Sequence, residues 1–198
     1  MEEMISCLKN RIDDLLKTSN QIVIAIDGNC TAGKTTLASV LAKEYDCNVF
    51  HMDDFFLRPE QRTAQRYAKP GGNVDYERFQ EEVLIPLKQG RAFSYRPFSC
   101  KTFSLSDAVE VTPKVLNIVK GTYCLHPYFG YVYELRMFLS IDPRCRKSGF
   151  ISGPSMYRNV SSRIGFPWRS FILTSIRFSS RLIFVLIRAG ERSCDYDS

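Results

Sequence analysis

Histidine is nearly missing from this chain, with 2 residues in 198, and tryptophan occurs once. So few imidazoles exclude a site built on histidine clusters, and neither His51 nor His126 has a second ligand at metal-binding spacing. Cysteine numbers 7, an odd total, and no C-x-x-C pair occurs. That pattern excludes a zinc ribbon and a disulfide framework and fits a reducing cytoplasm. No uninterrupted apolar run reaches spanning length, because Arg177 and Arg181 break "FILTSIRFSSRLIFVLI", so no membrane partner is expected. Internal repeats, low-complexity runs and nucleic-acid reader motifs are also missing. The net charge of +6 gathers beyond Pro143, and without a reader motif nucleic acid is not an expected partner.

What remains is ordinary for a globular chain, 44% apolar and 24% charged, at a length that suits one α/β domain. Residues 1–20 carry Ile5, Leu8, Ile12, Leu15 and Leu16 at helical spacing. They predict an amphipathic helix and not a signal peptide. "QIVIAID" then reads as a strand covered on both faces, as in a parallel sheet. A loop of small residues follows, then a helix with Leu37, Val40 and Leu41 on one side, then a second strand, "CNVFHM". Strand, loop, helix, strand is the opening of a doubly wound sheet.

Residues 58–74, with Pro59, Pro70, Gly71 and Gly72, predict a long loop. Residues 76–88 predict a helix with Phe79, Val83 and Leu84 inward, ended by Gly90. "AFSYRPFSCKTFSLSDAVEV" predicts a β-hairpin standing off the sheet. "KVLNIVKG" and "LRMFLSID" predict two more strands, separated by the aromatic-rich loop "TYCLHPYFGYVYE" with a short helix. The domain expectation is an N-terminal helix over 1–20, one α/β domain over 21–143 and an irregular basic tail over 144–198. Nothing in the composition defines an oligomeric state.

The strongest motif is G-x-x-x-x-G-K-[ST] in Gly28, Gly33, Lys34 and Thr35. A loop of this kind, here Gly28, Asn29, Cys30, Thr31, Ala32, Gly33, Lys34, Thr35 and Thr36, turns backbone N–H groups toward phosphate oxygens. Lys34 would reach the β and γ phosphates of ATP, Thr35 would offer its hydroxyl to Mg²⁺, and the following helix adds its positive end. "HMDDFF" follows the second strand, and a carboxylate there, Asp53 or Asp54, can take a proton, help position Mg²⁺, or merely cap the next turn. Asp75 in "GGNVDYERF" can hold vicinal sugar hydroxyls or cap the helix after it. His126 in "CLHPYFGY" can meet a ligand among aromatics or serve a structural role.

Taken together, "IDGNCTAGKTTLA", "FHMDDFFL", "NVDYERFQEEVL", "YRPFSC", "VLNIVKGTYCLHPYF" and "LRMFLSIDP" resemble the uridine kinase-like members of the phosphoribulokinase/uridine kinase family. The resemblance covers residues 21–143, about three-fifths of the chain. It implies a P-loop NTPase-type parallel sheet flanked by helices, ATP and Mg²⁺, and transfer to the 5′-hydroxyl of a ribonucleoside such as uridine. It further implies Asp53 as general base and metal-site residue, Asp75 on the acceptor sugar, and Tyr95 and His126 lining the acceptor pocket. An impaired nucleotide-binding remnant of the family is the alternative.

Two features depart from that family. Where "IVEGTY" is usual, this chain has "IVKGTY", so Lys120 reverses a charge beside the phosphates, and weaker metal binding and a lower rate are expected. After "SIDP" the lid arginines and the segment resembling "WIPLEE-YF" are replaced by an unrelated basic stretch. With suitable synonymous codons, residues 164–173 read in a shifted frame as "WIPLEELYF", which predicts a change of reading frame near Pro143 and a tail without a selected fold. Arg144, Arg146 and Lys147 fall near the expected lid cations without a lid helix's spacing.

Overall fold

A computed structural model describes residues 2–28, 30 and 32–139. The expected tail, the frame change near Pro143 and two of the phosphate-loop positions, Asn29 and Thr31, lie outside the described residues.

Helix α1 (Glu2–Thr18) leads into strand β1 (Ile22–Gly28), helix α2 (Lys34–Glu44) and strand β2 (Cys47–His51). A 3₁₀ turn at Met52–Phe55 follows, then a second at Pro59–Gln61 and the one-turn helix α3 (Ala64–Tyr67). Helix α4 (Tyr76–Phe79) continues through a π turn at Gln80–Leu84 into α5 (Ile85–Lys88). Four short strands come next: β3 (Phe93–Tyr95), β4 (Phe98–Ser99), β5 (Ser104–Leu105) and β6 (Val109–Val111). Strand β7 (Leu116–Lys120), a 3₁₀ turn at Pro127–Phe129 and β8 (Leu135–Leu139) complete the described chain.

Strands β2, β7, β1 and β8 lie in that order in one sheet, and every pairing in it is parallel. The period-2 alternation of β1 explains why its sequence is apolar throughout. Ile22, Ile24 and Ile26 face α1 and α2, meeting Leu8, Ile12, Leu37 and Leu41, whereas Val23 and Ala25 face Phe50, Phe79 and Val83. The sheet is therefore covered on both sides, as the run "IVIAI" predicts. Leu8 and Ile12 of α1 are buried in the same core as β1, so this helix packs directly on the sheet.

Three details differ from the sequence reading. The buried face of α2 is Leu37, Ala38 and Leu41; Val40 is half-buried, because Ala38 lies closer to the centre of the contact. The 58–74 loop contains α3, whose cap is Thr63 accepting from Arg66 N at 3.1 Å; four residues are too few for a hydrophobic period to show. The hairpin excursion is two antiparallel pairs, β3 with β6 and β4 with β5. The 76–88 helix runs where expected, with Phe79, Val83 and Leu84 all buried. It changes register through the π turn just ahead of Pro86, whose missing N–H interrupts the ordinary ladder. Among the described residues no helix is long and apolar enough to cross a membrane.

Candidate active site

Parallel strands deliver their loops to one edge, and the register brings three chain segments together there. Lys120 at the end of β7 lies between Ile26 of β1 and His51 of β2. The loop after β1 and the turn after β2 therefore approach each other across the end of β7.

Gly28 ends β1 beside Leu139 of β8, and a β-carbon at Gly28 would run into the Leu139 carbonyl. Gly33 closes the loop with φ 86°, a left-handed conformation at the N-cap of α2. Its carbonyl accepts from Leu37 N at 2.9 Å, the first turn of the helix. The preceding N–H groups of that turn have no intrahelical partner, which is the general basis of anion binding at such an end. Lys34 Nζ donates to Gly28 O at 2.8 Å, folding its ammonium back over the loop. Cys30, Thr35 and Thr36 are exposed and Ala32 packs into the core beneath them.

Asp27, which the sequence reading passed over, is the one charged residue inside the buried β1 run and is 6% exposed. Its Oδ1 accepts from Gly28 N at 2.6 Å and Tyr123 N at 3.2 Å, and its Oδ2 accepts from Leu125 N at 2.9 Å. It ties the start of the phosphate loop to the loop after β7. Burial pushes its carboxyl up to about 6, although the three N–H donors and Lys34 pull the other way. An acidic residue interrupting a β-branched run was the available signal.

Lys120 continues the face of β7 that carries Leu116 and Ile118, so the pleat directs it toward α2. It is 7% exposed, and its Nζ donates to Thr35 Oγ1 at 3.3 Å. This contact bears on the implied Mg²⁺ site. The hydroxyl that would ligate the metal already accepts from an ammonium, so a divalent cation there would have to displace Lys120 or stand beside its like charge. These residues do not fit a divalent cation at Thr35.

On the other flank, the Met52–Phe55 turn leaves Asp53 exposed and Asp54 half-buried. Burial raises the Asp54 carboxyl, and Tyr95 Oη donates to its Oδ2 at 3.5 Å. Asp75 is 2% exposed and caps α4, its Oδ1 accepting from Arg78 N at 3.2 Å and its Oδ2 from Gln61 Nε2 at 2.9 Å. It also lines an open cavity of about 400 Å³ with Gln61, Thr63, Gln65, Arg66 and Lys69. Arg78, a second residue without a sequence-based role, is the hub of this flank. Its guanidinium lies 3.6 Å from Asp75 Oδ2, donates to Asp54 O at 3.1 Å and Arg96 O at 2.8 Å, and covers the Phe55 ring. The Asp53–Asp54 turn and Asp75 are thus held together, with Asp75 N also donating to Phe55 O at 2.7 Å.

The two aromatic-pocket candidates separate. Tyr95 is 7% exposed and packs in the core on Phe55 with ring centroids 5.4 Å apart, and neither it nor His126 is among the residues lining the cavity. His126 stacks on Tyr76 at 4.5 Å, and its Nδ1 accepts from Tyr128 N, capping the 127–129 turn. Its Nε2 lies 3.2 Å from Pro70 O, and burial holds the ring below its ordinary pKa.

A parallel sheet with a phosphate loop after its first strand, a helix closing that loop and acidic turns at the same edge has the fold of the P-loop kinases. No family model and no curated protein matches the sequence. Among solved structures, the chain is similar to a possible uridine kinase from Bacillus stearothermophilus. That match has 19% identity and a TM-score of 0.55, and covers 88% of this chain and 98% of that one. It is also similar to a D-glycerate 3-kinase from Cryptococcus neoformans, at 12% identity and a TM-score of 0.62, covering 93% and 95%. At these identities the likeness is one of fold.

Proposed function

We propose that the chain binds ATP through residues 28–36 and transfers its γ-phosphoryl group to a small hydroxylated acceptor, with the 5′-hydroxyl of uridine the first acceptor to test. The observation that carries this reading is the register of the sheet. It brings the phosphate loop and the Asp53 turn to the two sides of one strand end, where donor and acceptor can meet.

Lys34 would leave Gly28 O for the phosphates, while the N–H groups at the start of α2 face the anion. Asp53, exposed on its turn, accepts the proton of the attacking hydroxyl. Asp75 and Gln61 offer polar groups to acceptor hydroxyls at the cavity they line, and His126, stacked on Tyr76, adjoins that cavity through Arg66, which lies over the Tyr76 ring. A reducing cytoplasm belongs to the same reading and rests on the odd cysteine total without a C-x-x-C pair.

The test is transfer of labelled phosphate from ATP to uridine, cytidine and D-glycerate in parallel, the last because one structural neighbour carries that name. Labelled product from one of them supports the reading and ranks the acceptors. A second reading, a chain that holds ATP and transfers nothing, is favoured by the Lys120–Thr35 contact, which places an ammonium where charge would be neutralised by a metal. ATP binding by calorimetry without transfer to any of the three would support that reading.

A further inference from the structure

Lys120 is an unusual residue to bury. The pleat that sends Leu116 and Ile118 into the core carries it to the same face, leaving it 7% exposed. Its hydrogen-bond partner among the described residues is a neutral hydroxyl, Thr35 Oγ1. None of the ion pairs among those residues includes it. An ammonium so placed has given up most of its hydration while the Asp54 carboxylate acts on it only at Coulombic range, beyond ion-pair contact, an arrangement that costs free energy until a closer anion arrives. The segment it touches begins α2, where Lys34 precedes Thr35 and the helix contributes its positive end. Two lysines and a helix N-terminus make a site matched to a polyanion. A divalent cation entering it would have to take Thr35 Oγ1 from the ammonium and then remain beside that charge.

We propose that the Lys120 ammonium supplies the charge neutralisation otherwise expected of a divalent cation, so that this chain binds a nucleoside triphosphate in metal-free form. The inference rests on residues 28–36 acting as the phosphate loop. Bound triphosphate would draw Lys120 Nζ from Thr35 Oγ1 onto phosphate oxygens, with Lys34 as the second cation.

The test is calorimetric titration of the full chain with ATP, once in excess EDTA and once in excess Mg²⁺, for wild type, Lys120→Met, Lys120→Glu and Lys34→Ala. Wild type should bind in EDTA with a Kd within about threefold of its Kd in Mg²⁺. Lys120→Met should lose about tenfold or more in EDTA, and Lys120→Glu should bind in Mg²⁺ alone. A wild type that needs Mg²⁺, or a folded Lys120→Met that keeps its metal-free affinity, would overturn the inference. If binding then still disappears in Lys34→Ala, the phosphate-loop reading stands without it. A folded wild type that binds ATP in neither buffer overturns both. Should Lys120→Met fail to fold, Lys120→Gln replaces it, and the wild-type comparison decides by itself.

Discussion

Asp27→Asn should remove one limb of the pH–stability curve. Burial lifts the Asp27 carboxyl from 3.8 to about 6, against three backbone donors and Lys34. At about 1.36 kcal/mol per pH unit, that difference corresponds to about 3 kcal/mol. Because the folded chain holds this proton more tightly than the unfolded one, the stabilisation is complete below 3.8 and is lost as pH rises through about 6. Asp54, also raised, drifts the same way, and His51 and His126, both lowered, drift the opposite way. Those groups are common to both proteins and drop out of the difference. Urea unfolding across a pH series gives the wild-type stability minus that of Asp27→Asn. This difference should fall by about 2–3 kcal/mol from about pH 4 to about pH 7. A difference constant within about 0.5 kcal/mol over that range would refute the placement of a buried, charge-penalised carboxylate at this strand end.

Asp53→Asn should lower phosphoryl transfer by about 10²–10⁴-fold with the melting temperature unchanged, since the side chain is exposed on its turn; an unaltered rate would remove Asp53 from the chemistry. Asp75→Ala removes the α4 cap and one of the two carboxylates beside Arg78, which keeps Glu82 at 3.2 Å, so unfolding free energy should drop by about 1–2 kcal/mol; a loss below about 0.5 kcal/mol would mean the cap contributes little. Gly28→Ala drives a β-carbon into the Leu139 carbonyl, so β8 must shift; a large fall in the thermal midpoint and loss of ATP binding are expected, and a variant matching wild type in both would contradict the close approach.

Much of this architecture was legible because it is written in short-range patterns. The "IVIAI" run, the glycines and lysine after it, and the 3.6 period of residues 76–88 each specify local structure without reference to the rest of the chain. The four-residue α3 was not legible, since its length carries no period. Nor was the placement of Tyr95: an aromatic in a β-hairpin suits a ligand wall and a core equally, and the tertiary fold packs its ring on Phe55 with its hydroxyl on Asp54. Asp75 illustrates both limits, for its spacing to Arg78 predicts a cap, while its place on a cavity wall depends on where the 58–74 loop folds back.

The sequence by itself determined the parallel-sheet fold class and the glycine-and-lysine pattern of residues 28–35, because each depends on residue types at fixed local spacing. Tertiary structure alone decided that Asp27 joins two loops, that Arg78 binds the Asp54 turn to Asp75, and that Lys120 reaches Thr35, 85 positions away. The Asp27 and Lys120 contacts arise from the order β2, β7, β1, β8, which sets strands distant in the chain side by side, and the Arg78 contacts from the packing of α4 on the turn after β2; neither is encoded by a local pattern.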